Sequence, residues 1–91
     1  GALLVDVRQP EEHTQDAIPG SINLPRPKLE AQIEDHLDHP DQPVVVYCAS
    51  GGRSAQVAYY LLRNGFEEVY NLQGGIQAWG RAYPIRTPEQ A

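Results

Sequence analysis

Between Pro43 and the Gly51-Gly52 pair the chain runs Val44-Val45-Val46-Tyr47-Cys48 with no polar break among the first four residues. A strand with one wet face alternates apolar and polar residues. A continuous branched run reads instead as a strand covered on both faces, which is the middle of a parallel sheet flanked by helices. The rest of the chain agrees. Ala2 to Val7 (ALLVDV) is a second branched run, Ile22-Asn23-Leu24 is a brief extended segment ended by Pro25, and Glu68 to Leu72 reads as a fourth strand.

Helical patterns alternate with these strands. Pro10 to Gln15 has proline at its start and acids in its first turn. Pro27 to Leu37 repeats Leu29, Ile33 and Leu37 at a spacing of four, with a polar remainder. Arg53 to Asn64 is expected to pack Ala55, Ala58, Leu61 and Leu62 on one face, with Gly65 as its stop. Gly74-Gly75 opens a last helix through Ile76, Ala78 and Trp79. The segment 85–91 carries Pro88 and no periodicity and is expected to be loose. Alternation of strand and helix in 91 residues gives one α/β domain. The expected architecture is three-layered, a central mostly parallel sheet with helices on both faces. Ligands bind at the carboxyl ends of strands in such sheets. Cys48 stands at one such end and Arg8 just past another.

Cys48 is the only cysteine, so no internal disulfide and no Cys/His metal framework exists within this sequence. A lone cysteine after an apolar run is ordinarily a small core hydrophobe. The residues that follow argue otherwise. Ala49-Ser50-Gly51-Gly52 can curl so that successive N–H groups converge on the sulfur. Ser54 is placed to cap the next helix, whose positive dipole end faces the same point. Arg53 offers a planar fork of donors for an oxyanion. All of these favour the thiolate, the reactive form of cysteine.

A strand–Cys–loop–Arg–helix unit serves two kinds of chemistry, attack on phosphorus and transfer of a sulfane sulfur. Loop length separates them. Cysteine phosphatases place five residues between cysteine and arginine, room for a tetrahedral phosphate. Here Ala49, Ser50, Gly51 and Gly52 are the only residues between Cys48 and Arg53. That cradle is too tight for phosphate and suits one added sulfur.

At this point the chain resembles the rhodanese family, specifically its single-domain thiosulfate sulfurtransferases. LLVDVRQPEEH, IPGSINLP, VVVYCASGGRS and GFEEVYNLQGGIQAWGRAYPI match the family's signatures in order along nearly the whole chain. Two departures are visible. Asp16-Ala17 stands where the family usually has Gly-His, and a changed turn is expected there. The strand and first helix that normally precede ALLVDVR are absent from this sequence, which points to a longer parent protein.

The resemblance implies a mechanism. Cys48 is the nucleophile and holds a persulfide; the loop from Ala49 through Ser50, Gly51, Gly52 and Arg53 to Ser54 binds the substrate and stabilises the sulfur anion. No metal or organic cofactor is implied. The implied partners are a small anionic donor, thiosulfate or a persulfide, and a thiol or protein acceptor, with cyanide serving in vitro. The alternative is a persulfide-carrying interaction domain of a larger sulfur-relay protein. A catalytically silent version is disfavoured because silent relatives commonly lack the cysteine.

Other residues have plainer roles. Asp6, Arg8 and Glu12 are expected to form an ion-pair network tying strand to turn, Trp79 and Ile76 to pack the last helix, Tyr59 and Tyr60 to be helix-surface and core residues, and His13 to sit at the surface. His13, His36 and His39 lack zinc-ligand spacing. A net charge of -5 with no basic run argues against nucleic acid. No apolar run approaches the length of about 18 residues needed to span a membrane. The expected compartment is the cytoplasm, with the periplasm as the alternative.

Overall fold

The computed structural model describes residues 1–82, so the segment 85–91 lies outside the described residues. Strands β1 (Leu3–Asp6), β2 (Ile22–Asn23), β3 (Val44–Tyr47) and β4 (Val69–Asn71) form one sheet in the order β2-β1-β3-β4. Every pairing is parallel. Four helices accompany them: α1 (Pro10–Gln15), α2 (Arg26–Gln32), α3 (Gly52–Arg63) and α4 (Gly75–Ala82).

Strand pleating divides the core in two. Val5, Val44, Val46 and Cys48 face one way and pack with Leu29, Ile33, Val57, Ala58 and Leu61 from α2, α3 and the turn after α2. Tyr47 faces the other way, against Ile18 and Ile76, with Leu4, Leu72 and Trp79 closing around them. Helices therefore cover both faces of the sheet, the expected three layers. In the central run Val44, Val46 and Tyr47 are buried and Val45 is half-buried, so both sides are covered, as the lack of alternation implies.

Two helices differ from the sequence expectation. The segment from Pro27 to Leu37 is not one helix: α2 ends at Gln32 and a 3-10 turn covers Ile33–His36. The apolar spacing still holds, since Leu29 and Ile33 are buried and Leu37 packs at the core edge. Tightening the chain over its last turn before Pro40 keeps those contacts. On α3 the buried face is Ser54, Val57, Ala58 and Leu61, while Leu62 is 48% exposed and Ala55 faces solvent. Residues 54, 57, 58 and 61 follow the i, i+3, i+4, i+7 rule; 55 and 62 are each one position further round.

The aligned register brings the carboxyl ends of the strands together. Asp6 pairs with Asn23 and Tyr47, and Val46 pairs with Asn71. Past that edge lies a buried polar cluster. Arg8, with its side chain 5% exposed, donates Nη2 to Asp6 Oδ2 at 2.8 Å and Nε to Asp6 Oδ1 at 3.0 Å. It also donates to Asp16 Oδ1 at 3.1 Å and to the Asp16 carbonyl at 2.6 Å. Burial opposes the Arg8 charge, but the bonds to Asp6 and Asp16 outweigh it and keep the guanidinium protonated. Tyr47 Oη meets Ser21 Oγ at 2.8 Å and accepts the Ile18 N–H at 3.1 Å, so this phenol ties β3 to the Ile18–Ser21 turn.

Removing one partner of a buried pair strands the other charge, at a cost of about 3–5 kcal/mol. Asp6→Ala is therefore expected to lower unfolding free energy by about that amount in urea titration. Replacing both residues, Asp6→Ala with Arg8→Met, should cost less than Asp6→Ala alone. A double variant as unstable as the sum of the two singles would show that the pair is not coupled.

Candidate functional site

The apolar run of β3 delivers Cys48 to the carboxyl edge of the sheet, where it is 1% exposed. The chain then turns back around the sulfur. Sγ accepts the Gly51 N–H at 3.1 Å, the Ser54 N–H at 3.4 Å and the Ser54 hydroxyl at 3.3 Å. Burial pushes the Cys48 thiol up, but donation from the Ser54 hydroxyl and from the N–H groups of Ser54, Gly51 and Ser50 outweighs it, so the thiol lies below its ordinary value. The thiolate is thus the form this cradle fits.

Two glycines shape the loop, and only one comes from the Gly-Gly pair beside the cysteine. Gly51 has φ +109 and caps α3. That left-handed turn points its N–H at the sulfur, and few other residues adopt it. Gly52 is the first residue of α3 and has open space where a Cβ would go. The other essential glycine is distant in sequence. A Cβ on Gly75, φ +61, would lie 2.4 Å from the Cys48 carbonyl oxygen and 2.5 Å from that of Ala49. The loop rests directly on this position. Ile76 N–H donates to the Cys48 carbonyl at 2.9 Å and Gln77 N–H to the Ala49 carbonyl at 3.1 Å. These are first-turn N–H groups of α4, free of intrahelical partners.

Ser54 does not cap α3 as expected. Gly51 holds that place, and Ser54 lies in the first turn with its hydroxyl facing inward. That hydroxyl also meets Asn71 Oδ1 at 2.5 Å, and Asn71 Nδ2 donates to the Gly51 carbonyl at 3.3 Å. One hydroxyl hydrogen thus faces both the sulfur and the amide oxygen. Asn71 is a site residue that sequence reading missed. Its place near the carboxyl end of the expected strand Glu68 to Leu72 was the available signal.

Arg53 lies at the rim with its side chain 48% exposed. Its guanidinium forms a bidentate pair with Glu12, at 2.9 and 3.1 Å. This corrects the expected network, in which Glu12 joined Asp6 and Arg8. Asp16 takes that place, and so does His13, whose Nδ1 is 2.9 Å from Asp6 Oδ2. His13 is no surface residue, being 16% exposed at its side chain. Consecutive residues on a helix point about 100° apart, so on α1 His13 faces β1 while Glu12 faces α3. The Arg53 guanidinium holds the Glu12 carboxyl down at about 2. The folded value is depressed, so the pair's contribution is complete above the ordinary carboxylate range and is lost as pH falls through about 2. At neutral pH Glu12 is charged. Among the described residues no group of three or more His, Cys, Asp or Glu is arranged to hold a metal.

Alkylation of Cys48 by iodoacetamide should show a pH midpoint below the free-thiol value of about 8.5. Ser54→Ala removes a donor and should raise that midpoint. Gly52→Ala should leave it in place, whereas Gly75→Ala should raise it and destabilise the protein, because the loop must retreat from the new methyl. Equal midpoints for the two glycine variants would refute the assigned roles.

Comparison with known proteins agrees with this geometry. The family model described as the Rhodanese-like domain matches residues 1–82. A sulfurtransferase of Allochromatium vinosum is 43% identical over 88 residues, covering 96% of this chain and 80% of that protein. A rhodanese from E. coli, solved with anions, superimposes with a TM-score of 0.82 at 29% identity over 96% of this chain and 99% of that one. A thiosulfate sulfurtransferase from Pseudomonas aeruginosa gives a TM-score of 0.89 at 28% identity, over 96% of this chain but 17% of that one. With a match spanning the described fold and a cysteine cradled at the carboxyl edge of its sheet, this chain belongs to the rhodanese-like domain family.

Proposed function

We propose that this protein is a sulfurtransferase that moves a sulfane sulfur through a persulfide on Cys48. The donor is thiosulfate or a similar anion; the acceptor is a thiol or protein, with cyanide serving in vitro. The observation that carries this reading is the cradle itself. A backbone N–H at 3.1 Å, another at 3.4 Å and a hydroxyl at 3.3 Å converge on one buried sulfur.

The Cys48 thiolate attacks the outer sulfur of thiosulfate. A new S–S bond forms, the bond to the central sulfur breaks, and sulfite departs with the bonding pair. The acceptor thiolate then attacks the outer sulfur of the persulfide, and Cys48 leaves as thiolate, back into its donors. Preorganised N–H groups stabilise the sulfur anion both before attack and on leaving, without reorganisation at the moment of reaction. The N–H groups of Gly52 and Arg53, in the first turn of α3, have no intrahelical partners and are the donors left to serve an added sulfur. Two half-reactions through a covalent intermediate give ping-pong kinetics. The phosphatase alternative is disfavoured by size. Four residues separate Cys48 from Arg53, one fewer than in the phosphatase loop, and the donors of Gly51 and Ser54 already reach the cysteine sulfur.

Arg53 binds the anionic end of the donor in this scheme, and Glu12 competes for it. An exposed pair of this kind is worth about 1 kcal/mol or less, so a dianion can displace the carboxylate.

Incubation with thiosulfate should raise the intact mass by about 32 Da, one sulfur, and cyanide should remove it. Cys48→Ser should show no gain and no thiosulfate:cyanide transfer; substantial retained transfer would overturn the mechanism. Arg53→Ala should raise the thiosulfate KM with little change in kcat, and Glu12→Gln should lower that KM several-fold by freeing the arginine. If Glu12→Gln raises the KM instead, the carboxylate positions Arg53 and does not compete. Hydrolysis of aryl phosphates should be negligible.

A further inference from the structure

A groove of about 590 Å³ runs along the outer side of α3, walled by Tyr59, Tyr60 and Arg63 and by Arg26 from α2. It does not border Cys48. A smaller depression of about 150 Å³ continues it toward the active loop, with Arg26 and Gln56 lining both and Arg53 at the near end. Arg53, Gln56, Tyr59, Tyr60 and Arg63 recur at helical spacing, so they form one stripe that starts at the loop. No carboxylate lines either hollow, although the chain has a net charge of -5.

The stripe is built to present charge. The Arg63 guanidinium sits 5.6 Å from the centre of the Tyr59 ring and donates to Tyr59 Oη at 3.1 Å. Arg26 lies 5.7 Å from the centre of the Tyr60 ring. Aromatic faces fix a guanidinium without neutralising it. Arg26 also meets Glu30 at 3.4 Å, and Arg53 meets Glu12 at 2.9 Å. Both pairs are exposed, and exposed pairs exchange at little cost. Tyr59 is 62% exposed, much for a large aromatic side chain beside a cation.

We propose that this stripe docks the sulfur acceptor, a protein presenting an acidic segment next to the accepting thiol. The proposal rests on the sulfur-transfer reading above. From Ser54 to Arg63 the helix rises about 14 Å, a span that an extended segment covers in about four residues. A partner thiol at the persulfide would thus place carboxylates about four residues away over Arg26 and Arg63. Transfer itself is unchanged: the partner's thiolate bonds to the outer sulfur, and Cys48 Sγ leaves as thiolate.

The test measures turnover of the thiosulfate-loaded chain with cyanide and with two synthetic peptides. Each peptide has one amino-terminal cysteine, followed about four residues later by a run of glutamates in one and lysines in the other. The glutamate peptide should exceed its lysine counterpart in kcat/KM by about tenfold or more at low salt, with the excess falling as salt rises. Arg63→Glu should abolish or invert the preference, and Tyr59→Ala should weaken it. Both should keep the wild-type rate with cyanide, which also reports that they fold. Equal rates for the two peptides, or a preference untouched by Arg63→Glu, would overturn the proposal. So would inhibition by a single-stranded oligonucleotide as strong as that by a cysteine-free glutamate peptide of equal charge, which would mark a general seat for polyanions. Failure of cyanide turnover in the unaltered protein would instead strike the sulfur-transfer reading.

Discussion

Two backbone hydrogen bonds, from Ile76 and Gln77 to the carbonyls of Cys48 and Ala49, hold the loop that carries the thiol. In a trans peptide the N–H points opposite to the C=O. Fastening those two carbonyls to the amino end of α4 therefore turns the N–H groups of Ala49 and Ser50 away from it. The left-handed turn at Gly51 then brings that residue's own N–H onto the sulfur. The cradle depends on a helix more than twenty residues downstream, and on Gly75 lacking a side chain where the loop lies against it. The thiolate is stabilised by donors that α4 and α3 hold in place before any substrate arrives.

A second constraint keeps this edge of the sheet rigid. Asp6 ends β1 and Arg8 stands two residues beyond it, and the turn from Asp16 to Ser21 is bonded to Arg8 and Tyr47. Asn23 Nδ2 donates to the carbonyls of Asp6 and Arg8, at 3.0 and 2.9 Å, and so joins β2 to the same cluster. Among the described residues every buried side-chain nitrogen or oxygen has a partner. A fully satisfied network of this kind fixes one arrangement, because any displaced member leaves a desolvated polar atom behind. Asp16, which departs from the usual family residue, accepts from Arg8 Nη1. The turn that Asp16 opens is thereby anchored to the cluster.

Much of the fold was legible because local pattern and tertiary environment agree. The unbroken run Val44–Tyr47 names a strand buried on both faces, and both faces are covered. Pro10–Gln15 is a helix with the expected ends. The segment after Pro25 was legible in its contacts but not its shape: Leu29, Ile33 and Leu37 meet the core, yet the backbone tightens to a 3-10 turn partway. Spacing of four does not distinguish a continuous α-helix from one that changes pitch. On α3 the expected Ala58 and Leu61 are buried, but Ser54 and Val57 complete the stripe in place of Ala55 and Leu62, because alanine and leucine at 55 and 62 are compatible with exposure and the Ser54 hydroxyl reaches the sulfur.

The amino-acid sequence by itself determined the order of strands and helices, the position of Cys48 at a strand end and the length of the loop to Arg53. These follow from local propensity, from spacing and from counting. Tertiary structure decided which donors reach the sulfur, that Gly75 and Asn71 belong to the site, and that Arg53 meets Glu12 while His13 turns to Asp6. The physical reason is one of range. A helix or strand is set by neighbours a few residues apart, whereas each hydrogen bond of the site's outer shell joins residues that only the parallel register of the sheet and the packing of α1, α3 and α4 against it bring within 3.5 Å or less.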